Sequence, residues 1–439
     1  MKHKVLHVIV MLTVISFVLS GCSLLDFFSA DILLKAPKLT GENAALQRAF
    51  EEAVGKDVSL FTPISGENRA SYVFFDANND GNDEAIVFYS LNSNLSVVHM
   101  HLLSTNSEKW YSVADIIGSG TGVYKVDFFN LDGNSDMEIA VSWTADDSQK
   151  EKKLSIYKIS GLGEKNENTI VSLATIQMAD YICFDIDSDN TNELLYFYFG
   201  SDNANQAFNT RLLDYDIKSE IFLPVSDISL KQQISSVLNI SVNKHKADYS
   251  VLVDSLLNDG MYYTEIISYD SELSVLSLPE DESGPVAART LRSSSVLCSD
   301  FNGDGLIDIP LPLNHDESYF VGKTDTIQSQ ALFLEWITYS PDEIREFGKF
   351  FENSFEGYRM RIDKLFEHYY FVYDYSSKLL QVCLKNLDEE NNVVFTVECE
   401  NSNRNDVYDS DEIEFDISVT SKGEAMNITE NFVKDLISY

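Results

Sequence analysis

The sequence predicts a mainly β protein: a β-propeller of about five four-stranded blades with calcium-type loops, plus a small C-terminal α+β domain. Two observations carry this. An acidic phrase recurs between apolar, strand-like runs. It reads Asp76-x-Asn78-x-Asp80 closing on Glu84, and Asn130-x-Asp132-x-Asn134 closing on Glu138. It returns as Asp185-x-Asp187-x-Asp189 closing on Glu193, and as Asp300-x-Asn302-x-Asp304 closing on Asp308. Its spacing is regular, with 54 residues from Asp76 to Asn130, 55 to Asp185, and then 115, about two periods, to Asp300. A fixed period in this range marks a repeat architecture. Four strands per period, with no helical pattern inside it, fit propeller blades; a β-solenoid is the alternative, with usually shorter periods.

Residues 1–21 read as a targeting segment, with Lys2 and Lys4 ahead of an apolar run from Val5 to Val18 that is short for a membrane span. The following Leu19-Ser20-Gly21-Cys22 resembles a bacterial lipobox, which implies cleavage and lipidation at Cys22. An ordinary secretory signal with a chance cysteine is the alternative. The expected location is extracytoplasmic, lipid-anchored to the bacterial cell membrane. Residues 22–69 are then a tether and a helix over Gly41 to Gly55, with Asn43 as cap and Ala44, Leu46, Ala49, Phe50 and Ala53 as apolar positions.

The propeller is expected over residues 70–340. Its first period has strands Ala70–Phe75, Glu84–Ser90, Leu95–Leu103 and Trp110–Gly118. The second has Gly122–Phe129, Glu138–Trp143, Lys152–Ser160 and Asn168–Ile176, and the third Asp180–Phe184, Glu193–Phe199, Thr210–Lys218 and Ile221–Val225. The double gap predicts a worn copy, found at Asn239-x-Ser241-x-Asn243 with Ala247 at the closing position, 54 residues after Asp185. Ala247 offers no ligand and Lys244 and Lys246 add positive charge, so this repeat is expected to keep its fold without metal. In it, Leu252–Leu257 and Met261–Tyr269 flank the turn signal Asn258-Asp259-Gly260. The fifth period offers Ser294–Ser299, Gly305–Leu313 and Ala331–Tyr339. Residues 341–439 then read as a separate α+β domain ending in a helix near Thr429 to Ile437, or alternatively as strands of a sixth blade.

The chain has a formal net charge of −38, and loss of residues 1–21, with two lysines and no acid, takes it to −40. Such a charge argues against nucleic acid and against electrostatic attachment to anionic lipid. Cys183 and Cys298 precede two of the acidic loops and are expected to be buried thiols. Cys383 and Cys399 have their midpoint at 391, in a turn-like stretch; a hairpin there would set them opposite each other for a disulfide, with two free thiols as the alternative.

Oxygen side chains at positions 1, 3, 5 and 9 of a tight loop suit a hard cation. The candidate ligands are therefore Asp76, Asn78, Asp80 and Glu84; Asn130, Asp132, Asn134 and Glu138; Asp185, Asp187, Asp189 and Glu193; and Asp300, Asn302, Asp304 and Asp308. The Asp185 loop carries most charge, although Asn190 stands where a glycine is usual. In the Asn130 loop two ligands are neutral and Gly133 sits at position 4. Plain Asx-turns without metal are the alternative. These copies resemble the loops of FG-GAP or VCBS-type repeats, the blades of the integrin-alpha propeller, over about residues 70–340. That resemblance implies structural Ca2+ that braces blades. The whole chain more loosely resembles uncharacterised Firmicutes surface lipoproteins.

No catalytic set assembles from the sequence. His99 and His101 share a strand face without a third partner, and Trp110, Trp143 and Trp336 fall in strands where packing competes with carbohydrate binding. The expected function is a membrane-anchored, calcium-braced binding or assembly module for an envelope protein or glycan ligand. The alternative is a carbohydrate-active enzyme, a polysaccharide lyase or hydrolase, which predicts a pocket with paired carboxylates or a Lys/Arg–carboxylate set. A purely structural envelope protein would show neither pocket nor partner.

Overall fold

A computed structural model describes residues 42–438, except 107–108, 135, 145–149, 161, 163–168, 201–206, 231, 246–247, 283, 314–330, 354–355, 363–364, 366–368, 375, 385–391 and 400–414. The expected signal segment, Cys22 and Ala247 lie outside the described residues. The chain is mainly β, arranged as antiparallel sheets taken up in sequence order.

The helix α1 (Glu42–Val54) opens the described chain. Sheet 1 contains β1 (Val58–Phe61), β2 (Tyr72–Phe75), β3 (Glu84–Leu91), β4 (Asn94–Asn106) and β5 (Lys109–Ile117). Its first-strand place is filled in two halves, β2 pairing with residues 84–87 of β3 and β1 with residues 88–91. Sheet 2 is β6 (Gly122–Phe129), β7 (Glu138–Thr144), β8 (Lys152–Ser160) and β9 (Thr169–Met178). Sheet 3 is β10 (Asp180–Phe184), β11 (Glu193–Phe199), β12 (Phe208–Asp216) and β13 (Ile221–Leu230). Sheet 4 is β14 (Ile234–His245), β15 (Asp248–Leu257), β16 (Tyr262–Asp270) and β17 (Val275–Ser277). Sheets 2, 3 and 4 are meanders in which neighbours along the chain pair, the arrangement the repeat predicts, and sheet 1 departs from it in β1, which pairs with β3.

A two-stranded ribbon, β18 (Glu280–Asp281) with β19 (Gly284–Pro285), and a 3-10 turn at Val286–Thr290 follow. Sheet 5 is β20 (Ile309–Pro312), β21 (Ala331–Tyr339), β22 (Ile344–Asn353) and β23 (Tyr358–Arg361), joined at its edge by β28 (Ile437–Ser438). Sheet 6 is β24 (Tyr369–Asp374), β25 (Leu379–Leu384), β26 (Val393–Cys399) and β27 (Phe415–Val419). Two short helices, α2 (Ser421–Ala425) and α3 (Glu430–Lys434), lie between β27 and β28. Thr429 caps α3 by accepting from the Phe432 amide, as the sequence suggests.

Strand alternation explains how the sheets stack. In β3, Ile86 and Phe88 enter a core shared with Val126, Val141 and Trp143 of sheet 2. The intervening Ala85, Val87 and Tyr89 meet Leu46 and Phe50 of α1, so the helix covers the other face of sheet 1. Phe129, Leu154, Tyr181 and Leu213 join sheets 2 and 3. A larger core runs from sheet 3 through sheet 4 to Ile309 and Ile337 of sheet 5. Phe333 and Phe351 of sheet 5 share a core with Phe371, Leu380 and Val397 of sheet 6. The boundary expected at residue 341 falls in the turn between β21 and β22, inside one sheet.

Two local expectations need correction. Asn239, Ser241 and Asn243 do not form a worn loop, because β14 runs through them and pairs with β15 as far as His245 opposite Asp248. Cys383 and Cys399 do not form a disulfide, and both are buried. The β25–β26 register sets Cys383 opposite Val393, and Leu379 opposite Glu398, so the two cysteines occupy opposite ends of the hairpin. The sequence midpoint misplaced the turn, and disulfide geometry requires closely facing Cβ atoms. Cys298 is buried and Cys183 partly so, both as free thiols, in line with expectation.

Candidate functional site

The four acidic loops share one backbone. Positive φ recurs at position 4, in Asn79, Gly133, Ser188 and Gly303, and at position 6, in Gly81, Asn190 and Gly305. Gly133 therefore occupies a place every loop needs, and Asn190 is a residue type that tolerates it. The position 1 side chain accepts backbone bonds, Asp76 from Asp80 and Gly81, Asp185 from Asp189 and Asn190, and Asp300 from Asp304 and Gly305. Each closing carboxylate accepts the amide of position 2, at 2.9 Å for Glu84, 2.8 Å for Glu138 and Glu193, and 3.1 Å for Asp308.

The loops also interlock. The Met137 amide donates to the Ala77 carbonyl, and the Asn192 amide to the Asn130 carbonyl. Asn243 exchanges two hydrogen bonds with the Ile307 backbone, so the strand that replaced the fourth loop still supports the next one.

Among the described residues, the oxygens of Asp185, Asp187 and Glu193 form a cluster within 4.8 Å of one another. That spacing fits a hard cation, which needs several oxygens at about 2.3–2.6 Å. Burial, and then Asp187, Asp189 and Asp214, push the Glu193 carboxyl up to about 8. A bound cation would supply the missing countercharge. In the Asn130 loop, burial and Asp132 push Glu138 up to about 7, while Lys158 works the other way. Burial also raises Glu84 and Asp308.

The first strands of sheets 2, 3 and 4, with the 65–69 segment, line a cavity of about 660 Å³. That segment lies along β6: the Ile64 and Ser65 amides donate to the carbonyls of Val123 and Tyr124, and Asn68 Nδ2 to that of Val126. Lys125, only 16% exposed, sits 3.2 Å from Asp127 Oδ2. Its ammonium also donates to the Tyr181 carbonyl at 3.0 Å and lies 4.2 Å from that ring's centroid. Burial works against this charge, but Asp127 and Asp180 outweigh it and hold its pKa above the usual lysine range. Tyr124 Oη reaches Asp180 Oδ2 at 3.4 Å, and burial followed by Asp180 raises its pKa. Behind it, Lys152 donates to the Ala179 carbonyl at 2.7 Å and lies 4.0 Å over the Tyr124 ring. Burial lowers its pKa. Lys125 thus has Asp127 and Asp180 as countercharges, whereas Lys152 is held by a backbone carbonyl and a ring face.

None of these cavity residues belonged to the sequence-derived candidates. Their signal was charge inside strands otherwise apolar, at Lys125, Asp127 and Asp180. His99 and His101 both direct Nδ1 at Asp115, at 3.1 and 3.4 Å, and Tyr89 Oη donates to the same carboxylate. The group packs under Phe50 of α1 and is structural. Trp110, Trp143 and Trp336 are all buried, so packing is their role.

No family model matches the sequence, and no curated protein matches it. Solved structures match it at low similarity. An exo-β-1,3-galactanase from Phanerochaete chrysosporium is 17% identical, with a TM-score of 0.28, covering 51% of this chain. The chain spans about half, 52%, of the galactanase's length. An endo-arabinase from Bacteroides thetaiotaomicron is 13% identical, with a TM-score of 0.28, covering 66% of this chain and 95% of its own. Saccharomyces cerevisiae Sqt1 is 10% identical, with a TM-score of 0.34, covering 80% and 93%. The architecture described above rests on the chain's own strand pairing.

Proposed function

We propose that this chain is a lipid-anchored extracytoplasmic binding protein built from FG-GAP/VCBS-type repeats in a β-propeller-like array. Its ligand would be a glycan taken into the cavity beside β6 and β10, with Ca2+ bracing the acidic loops along one edge. The cavity carries the proposal. Its volume of about 660 Å³ lies in the range of small-ligand sites, about 300–1,000 Å³. It offers carboxylate acceptors in Asp127 and Asp180, donors in Lys125, Asn68 and Arg69, and the rings of Tyr124 and Phe128. A polyhydroxylated ligand uses that mixture, since each hydroxyl both donates and accepts.

The test is a glycan panel against the intact protein, followed by calorimetry on any hit. Arg69→Ala removes an exposed guanidinium without disturbing the buried ion network, and is expected to weaken binding about tenfold, the equivalent of about 1.4 kcal/mol. Equal affinity in the variant would remove the cavity from the proposal. For the anchor, Cys22→Ala is expected to abolish incorporation of labelled fatty acid and release the protein from membranes. Unchanged fractionation would refute lipidation at that residue.

The Lys125–Asp127–Asp180 set favours a second function, a carbohydrate-active enzyme, because a lysine–carboxylate constellation in a cavity suits polysaccharide cleavage. Turnover of a polysaccharide that disappears in Asp127→Asn or Asp180→Asn would support catalysis. Tight binding without turnover would support the binding module.

A further inference from the structure

The strand register singles out one position opposite each loop. Ala85 pairs with Leu103, Ile139 with Tyr157, Leu194 with Leu213 and Ile309 with Ile337. One step along, the closing carboxylates Glu84, Glu138, Glu193 and Asp308 therefore lie beside Ser104, Lys158, Asp214 and Thr338. Ser104 Oγ donates to Glu84 at 2.8 Å and Thr338 Oγ1 to Asp308 at 2.7 Å. Lys158 reaches further into its loop, with Nζ 2.5 Å from Asp132 Oδ2, a carboxylate whose side chain is only 3% exposed.

The charge of this residue tracks the charge of its loop. Positions 1, 3, 5 and 9 hold three carboxylates around Asp76, three around Asp300, four around Asp185 and two around Asn130. The lysine stands beside the loop with fewest carboxylates, and Asp214 beside the loop with most. Asparagine at positions 1 and 5 leaves Asp132 and Glu138 facing one ammonium. Arg345 also pairs with Asp304 of the last loop, at 2.9 Å, but it comes from β22 and both side chains are at least one-third exposed.

We propose that Lys158 is the resident cation of the Asn130–Glu138 loop. Its ammonium takes the place of a divalent ion, so this loop closes without metal. Calcium in the other loops is part of the proposed function above; the Lys158 assignment does not depend on it, and the two can fail separately. A tethered ammonium cannot dissociate, so this repeat would stay closed when external cation is withdrawn.

The experiment compares wild type, Lys158→Met and Lys158→Gln in thermal unfolding with chelator and with saturating Ca2+, and counts bound Tb3+ by luminescence titration. Both variants are expected to melt below wild type in chelator. Both should show a larger Ca2+-induced rise in Tm than wild type and bind one additional Tb3+ per chain. Lys158→Gln keeps a hydrogen-bond donor for Asp132 and supplies the result if the methionine variant does not fold. Equal Ca2+ shifts and equal Tb3+ counts in variant and wild type would overturn the assignment. A wild type blind to Ca2+, with a variant that responds, would sink calcium in the other loops and leave Lys158 as the cation of this one.

Discussion

Replacing Arg292 by methionine is expected to lower the unfolding free energy by about 3–5 kcal/mol, the usual cost of breaking a buried ion pair by removing one partner. Arg292 and Asp254 are each 1% exposed and lie 3.0 Å apart. Nearly every polar atom of the pair has a partner. Arg292 donates to the Thr264 hydroxyl and to the carbonyls of Thr290 and Val296. Asp254 also accepts from Thr264 Oγ1 and from the Cys298 amide. Methionine fills the volume but leaves the carboxylate uncompensated between sheets 4 and 5. The network pins the crossover that delivers the Asp300 loop to its place, so the variant should also expose that loop to proteolysis. Urea unfolding gives the value, provided the slope stays that of wild type. A loss below about 1 kcal/mol, the range of exposed pairs, would mean that the pair is solvated in solution.

Trp143→Ala is expected to cost about 3–5 kcal/mol, through lost burial and the cavity that remains. The indole is fully buried between sheets 1 and 2, edge-on to Phe88 at 5.8 Å between centroids. Its pocket exists because Gly118 and Gly120 have no side chains. A Cβ on Gly118 would overlap the indole ring, and one on Gly120 would overlap the Thr144 carbonyl oxygen and the Trp143 Cβ. Gly118→Ala should therefore destabilise too, by about 1–3 kcal/mol through overpacking against the indole. The two effects should not add, because both act on one contact. Additive losses in a double-mutant cycle would refute the shared pocket.

Much of the strand pattern was legible. The spans expected for β6, β8, β10, β11 and β21 match the observed ones, because each is a short apolar or β-branched run bounded by turn residues. The missed elements have physical reasons. In β22 the sequence Ile-Arg-Glu-Phe-Gly-Lys-Phe-Phe mixes charge with apolar residues, and a bulge between Trp336 and Ile337 of the pairing breaks its alternation. The expected strand Ser294–Ser299 reduces to one bridge, Ser299 with Asp308. Its backbone groups go to side chains instead: the Val296 amide to Ser294, the Val296 carbonyl to Arg292 and the Cys298 amide to Asp254. No local pattern announces such substitutions.

The amino-acid sequence alone determined the repeat period and the loop backbone. Both follow from local chemistry: carboxylates that accept nearby amides, and residues that tolerate positive φ at positions 4 and 6. Only the tertiary structure decided which charges meet. Lys125 and Asp180 come from different repeats, Lys158 reaches Asp132 through strand register, and Cys383 is carried away from Cys399 by the same kind of register. Electrostatic pairing depends on separations of a few ångströms, and strand pairing and sheet stacking set those distances.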